Sequence, residues 1–155
     1  MGIENIADLP KRAHFKPALD LLSQQFDLSQ NQICIRIIDA AESQSLNKQF
    51  RDKDKPTNVL SFPFEEENYL GDLALCHSVI QAEAAAQNKP LRAHYLHLVI
   101  HGLLHLLGFD HETDADAAEM EQIEIEMLAQ LNISNPYEEI PPPLHPSPPP
   151  RGRRE

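Results

Sequence analysis

The sequence predicts an α+β domain in which a small mixed β-sheet packs with helices, one of them carrying a metal-binding motif. Three observations predict it. At 155 residues the chain is long enough for one domain with a real hydrophobic core. Short β-branched runs and helical periodicities are mixed along it without a strict βαβ repeat. One strongly apolar, helix-prone stretch holds His101-Gly-Leu-Leu-His105-Leu-Leu-Gly108-Phe-Asp-His111, the pattern HxxxHxxGxxH.

Phe15 to Phe26 is a helix candidate, with Leu19, Leu22 and Phe26 on one face. Ile33-Cys-Ile-Arg-Ile-Ile38 is a strand, rich in β-branched residues. Ala40 to Phe50 forms a second helix with sparse apolar residues. Val59 to Phe64 and Leu70 to Cys76 are strands joined by an acidic loop at Glu65-Glu-Glu67. His77 to Gln87 is an alanine-rich helix. Pro90 suits the first turn of the next, which runs to about Leu107 and carries the histidine pair. Ala117 to Leu131 is the last helix, and its apolar stripe of Met120, Ile123, Met127 and Leu131 reads as core. Residues 1–139 make the folded domain. Ile140 to Glu155 holds seven of the thirteen prolines and ends Arg-Gly-Arg-Arg-Glu, so it is expected to be an extended, disordered tail.

The histidines define the chemistry. Residues at i and i+4 share one helical face, so His101 and His105 can share an ion. Gly108 can take the left-handed conformation that ends a helix, which makes His111 the best-placed third ligand, with Asp110, Glu112 and Asp114 as weaker candidates. Three neutral imidazoles with one open position describe a catalytic rather than a structural zinc site. The row His97, His101 and His105 fails as a ligand set, because its ends lie about 12 Å apart at ~1.5 Å rise per residue. His94 and His97 are therefore expected to be structural or surface residues. Asp110 could support a ligand imidazole through a hydrogen bond, or could serve the turn after Gly108.

The spacing matches the metzincin peptidase pattern, in which a glutamate after the first histidine is the general base. Here that position is Gly102, which cannot accept a proton, so the peptidase reading loses its base. A bound zinc could still lower the pKa of water towards ~7 without it. That suits attack on a phosphodiester.

Arg51-Asp-Lys-Asp-Lys-Pro56 is a charged, turn-like segment leading into the strand at Val59. Arg51, Lys53 and Lys55 are the densest basic cluster of the folded body, although Asp52 and Asp54 offset two of the three charges. Gly71-Asp72 reads either as a turn or as a carboxylate supporting the site.

These segments, with Ala40-Ala-Glu-Ser-Gln-Ser-Leu-Asn47 and Gly71-Asp-Leu-Ala-Leu-Cys76, resemble the YbeY family of rRNA-maturation endoribonucleases from about Ile33 to Tyr137. The resemblance implies a zinc-dependent endoribonuclease, specific for single strands. It also implies a role in maturing the 3′ end of 16S rRNA and in ribosome quality control. It places one zinc ion on His101, His105 and His111, the functional arginine at Arg51, and a substrate-side segment that includes Lys55 and Ser61. It further implies a sheet that begins with an N-terminal strand, for which Met1 to Leu9 is a poor sequence.

Charge and composition bound the partners. A net charge of −11 argues against a generic nucleic-acid binder, and the arginine-ending tail carries +2 of it, leaving −13 on the body. Positive charge must then be local, at a zinc ion, Arg51 and the nearby lysines. Binding of free RNA should be weak and salt-sensitive, with the ribosome or small-subunit assembly proteins supplying recognition; DNA is not expected. Only Cys34 and Cys76 occur, without metal-type spacing, which suits a reduced, cytoplasmic protein. No apolar run approaches ~18 residues and no leader pattern opens the chain, so no membrane role is expected. The remaining alternative is a non-catalytic assembly factor whose zinc shapes a binding surface.

Overall fold

A computed structural model describes residues 12–27, 32–66, 68–109 and 112–137. In chain order these form α1 (Arg12–Phe26), β1 (Gln32–Ile38), α2 (Ala40–Arg51), β2 (Val59–Glu66), β3 (Tyr69–Cys76), α3 (His77–Ala86), α4 (Leu91–Leu106) and α5 (Asp114–Gln130). The α+β class and the element order agree with the sequence reading. One difference lies at the acidic loop: Glu65 and Glu66 extend β2, and the reversal to β3 passes through Asn68 at φ 66°. The two strands therefore run further towards the turn than their apolar residues suggest. The N-terminal segment expected to lack a strand and the proline-rich tail lie outside the described residues.

Among the described residues the sheet has three strands in the order β1-β3-β2, with β1 parallel and β2 antiparallel to β3. Successive side chains of β3 point to opposite faces. Leu73 and Leu75 face the main core, where they meet Leu96, Val99, Ile100, Leu103 and Leu104 of α4. Ala74 and Cys76 face the other way, into a smaller cluster with Ile38 and Leu60 that α2 covers through Ala40 and Leu46. The histidine helix and α2 thus occupy opposite faces of the sheet. Each fully buried leucine in α4 contributes about 1.5–3 kcal/mol of transfer free energy, and this anchors the helix that carries the motif.

Local signals set the helix ends. Asp39 caps α2 by accepting from the Glu42 amide, and Thr113 caps α5 by accepting from the Asp116 amide. After α4, Gly108 adopts φ 103°, its amide donates to the His105 carbonyl, and the Phe109 amide donates to the Leu104 carbonyl. This is the glycine-terminated stop that the motif predicts. The apolar stripe of α5 is core, with Met120 and Met127 buried and Ile123 and Leu131 packed on the same cluster. None of the described helices is long and apolar enough to cross a membrane.

Candidate metal centre and its surroundings

α4 brings the predicted pair together. The rings of His101 and His105 have centroids 4.7 Å apart and lie nearly perpendicular, and both are half-buried. The next pair up the helix, His97 and His101, is wider at 6.3 Å. Asp110 and His111 lie outside the described residues, and among those described no three histidine, cysteine or acidic side chains form a metal-holding group.

One residue that sequence reasoning missed dominates the surroundings. Glu124 of α5 is fully buried. Its Oε2 accepts from His101 Nδ1 at 2.7 Å, and its Oε1 accepts from His97 Nε2 at 3.1 Å. The Tyr137 hydroxyl also donates to Oε1. Burial alone would raise the pKa of this carboxyl, but the hydrogen bonds from His101 and His97 outweigh it and hold the group at about 2. An ionised carboxylate only accepts, so Nδ1 of His101 carries a proton, and in the neutral ring Nε2 carries the lone pair. A neutral imidazole that offers Nε2 while its Nδ1–H rests on a carboxylate is the usual form of a zinc-binding histidine. The donor chemistry at His101 therefore fits a zinc ion. A signal for Glu124 was present in the sequence: Met120, Glu124, Met127 and Leu131 recur at helical spacing, which puts one carboxylate inside an apolar stripe.

His94 and His97 are buried, which corrects the surface alternative for both and keeps the structural one. Desolvation lowers the pKa of His97 despite the opposing bond to Glu124, so its ring is neutral. His94 Nε2 bonds Glu83 Oε1 at 2.8 Å, and Glu83 also accepts from the Asn58 side-chain amide. Burial opposes ionisation of Glu83, but the bonds from His94 and Asn58 prevail and lower its pKa. A cavity of about 340 Å³ opens here, lined by Asn58, Glu83, His94, His97, His101 and Tyr137 among others.

Gly102 has a packing reason. A Cβ at this position would lie 2.8 Å from the Leu73 Cδ2 methyl and 3.2 Å from Ser61 Oγ. The place of the peptidase base thus points at the sheet, where α4 packs closely on β3 and β2 and leaves little room for a side chain. Ser61 Oγ donates to the Gly102 carbonyl at 3.3 Å, so this predicted substrate-side residue joins β2 to the histidine helix.

The basic segment is placed differently. Arg51 ends α2 and is exposed, as are Lys53 and Lys55. Asp52 follows in the left-handed conformation at φ 59°. Two buried polar side chains of α2 fix the segment through its backbone: Asn47 donates to the Lys55 carbonyl at 2.8 Å, and Ser43 Oγ bonds both the amide and the carbonyl of Thr57. The chain then reaches Asn58 on the cavity wall. The segment therefore begins beside α2 and ends at the histidine face. Asp72 takes neither role considered for it: it sits within β3, alternates with Leu73 away from α4, and accepts from the Tyr69 hydroxyl.

The family model described as Endoribonuclease YbeY matches residues 4–132. A relative named Endoribonuclease YbeY, from Colwellia psychrerythraea (strain 34H / ATCC BAA-681), is 54% identical over 137 residues, covering 83% of this chain and 88% of its own. The solution structure of a protein from Thermotoga maritima superimposes with a TM-score of 0.52 at 26% identity, over 93% of this chain and 97% of that one. The chain belongs to the YbeY endoribonuclease family.

Proposed function

We propose that this protein is a zinc-dependent, single-strand-specific endoribonuclease. It acts in the cytoplasm on rRNA, at the 3′ end of 16S rRNA, and in ribosome quality control. Family membership supports the endoribonuclease activity. The observation that carries the metal reading is the His101–His105 pair, 4.7 Å apart, with His101 already turned by Glu124 to present Nε2. His111 is the third ligand in this reading, and Asp110 supports it. Bound there, zinc supplies Lewis-acid chemistry towards a phosphodiester.

The chain's own residues do the rest. Arg51 is exposed and always charged, so it neutralises charge that grows on the phosphate in the transition state. Lys55 adds a second positive charge on the same fixed segment. Ser61 is bonded to the backbone of the histidine helix and serves to hold the substrate-side strand in register with it. The packed Gly102 leaves no base for peptide hydrolysis, which weighs against a peptidase. Because the chain carries −11 overall, contacts with ribosomal or assembly proteins supply recognition that bulk charge does not.

The test is cleavage of a single-stranded rRNA fragment by the zinc-loaded protein beside Arg51→Ala. Arg51 is exposed and is not a ligand in this reading, so the variant should keep its metal and stability while losing activity by about a hundredfold or more. Equal cleavage by both would sink the role of Arg51. Cleavage by neither would favour an assembly factor without catalysis. Product ends identify the nucleophile: a 2′,3′-cyclic phosphate means the RNA's own 2′-hydroxyl attacks first.

A further inference from the structure

Glu124 is a carboxylate with no solvent exposure, on a helix other than the one that bears the motif. Three donors meet on it. Oε1 takes the His97 ring and the Tyr137 hydroxyl, and Oε2 takes the His101 ring. Removing a charge from water is costly, and such a set of hydrogen bonds can offset that cost. The arrangement has a chemical consequence at only one of its members. His97 is too far up α4 to share an ion with His105, so its tautomer affects packing alone. At His101 the same bond decides which nitrogen can bind metal.

We propose that Glu124 is a positioning residue: its buried carboxylate locks His101 in the tautomer whose lone pair lies on Nε2, and Tyr137 locks the carboxylate. The protein is thereby set for metal before metal arrives. The proposal rests on the reading of His101 as a zinc ligand.

The consequence is sharpest for Glu124→Gln, which keeps the shape and removes one acceptor. Glutamine has one oxygen and one NH₂ group. The oxygen satisfies two donors at the Oε1 position, so the NH₂ turns towards His101 Nδ1. Nδ1 must then accept, the ring proton moves to Nε2, and the ligand nitrogen is blocked. Tyr137→Phe removes one of the three donors and leaves the His101 contact in place.

Two measurements on the full chain test this. Long-range ¹H–¹⁵N spectra of the metal-free protein report the His101 tautomer, and competition with a chromophoric chelator reports zinc affinity. The wild type should show the Nδ1–H form. Glu124→Gln should shift His101 to the Nε2–H form and weaken zinc binding about 10–100-fold. Tyr137→Phe should weaken it by a few-fold. A wild-type His101 already in the Nε2–H form would overturn the proposal without any variant, which matters should Glu124→Gln not fold. Zinc binding that is tight in the wild type and unchanged in Glu124→Gln would overturn the positioning role while leaving the metal reading intact. No zinc binding by the wild type would overturn both.

Discussion

His97 and His101 commit ring nitrogens to a carboxylate that solvent does not reach, whereas Arg51, Lys53 and Lys55 stand in solvent on a segment fixed through its backbone and through the Asp54 carboxylate, which accepts from Gln44 of α2. Both regions carry family motifs, but they are built by opposite means. The histidine face is set by side chains that converge from α4, α5 and the segment at Tyr137. The basic segment is set chiefly by Asn47 and Ser43, two buried polar residues that hold carbonyls and an amide and leave Arg51, Lys53 and Lys55 in water. A metal site gains from fixed ligands, because each ligand ordered in advance lowers the cost of binding. An RNA-binding segment gains from fixed backbone with mobile heads, because phosphates arrive in varied geometries. The difference predicts that substitutions on the two sides have different signatures.

The largest effect is expected on the interior side. Gly102→Ala places a methyl 2.8 Å from a Leu73 methyl that is itself fully buried. Helix propensity would gain about 1 kcal/mol from the change, but overpacking a closed core costs about 1–3 kcal/mol. A net loss of up to about 2 kcal/mol should appear in urea denaturation. The same shift should weaken zinc binding, because the new methyl presses α4 away from the sheet beside His101. An alanine variant more stable than wild type would mean that Leu73 yields and that helix and sheet are not tightly seated.

Asn47→Ala should act on the other side. It leaves the Lys55 carbonyl without its buried donor, at about 1 kcal/mol. Its larger consequence should be functional: RNA cleavage should fall several-fold while zinc affinity stays at the wild-type value. Measuring both on one preparation separates the two regions. A parallel loss of zinc affinity would show that the segment and the histidine face are a single unit.

The two regions were also unequally legible in the sequence. The helix stop at Gly108 and the His101–His105 pair follow from short-range spacing, and the structure carries both. Strand and helix positions were readable for the same reason, since β-branched runs and apolar periodicity are local. Glu124 was not read, because its burial depends on histidines 23 and 27 residues upstream, and a carboxylate in an apolar stripe looks like an interruption until its partners are known. Asn47 and Ser43 were hidden similarly. Each is a polar residue on a helix with few apolar ones, and each is buried only because the segment after α2 folds back over it. Gly102 was read as a missing base, and its second meaning, close contact with β2 and β3, required the packing of α4 on the sheet.

The smallest effect probes the seam between the regions. Glu83 accepts from Asn58, at the end of the basic segment, and from His94, on the histidine helix. These bonds lower its pKa below the ordinary 4.5 even though burial pushes the other way. A carboxyl whose folded pKa is depressed contributes stability that is complete above its unfolded pKa and declines as pH falls towards the folded one. The contribution should therefore be present at neutral pH and fade below about pH 4.5. Glu83 is one-third exposed, so solvent screening keeps the effect modest. Glu83→Gln should lower the urea midpoint slightly at pH 7 and flatten its decline below pH 4.5, with the two curves converging in acid. Curves that stay parallel would assign the acid sensitivity to other carboxylates. The seam would then be a contact of shape rather than of charge, and the two regions would be independent in the pH range where carboxylates titrate.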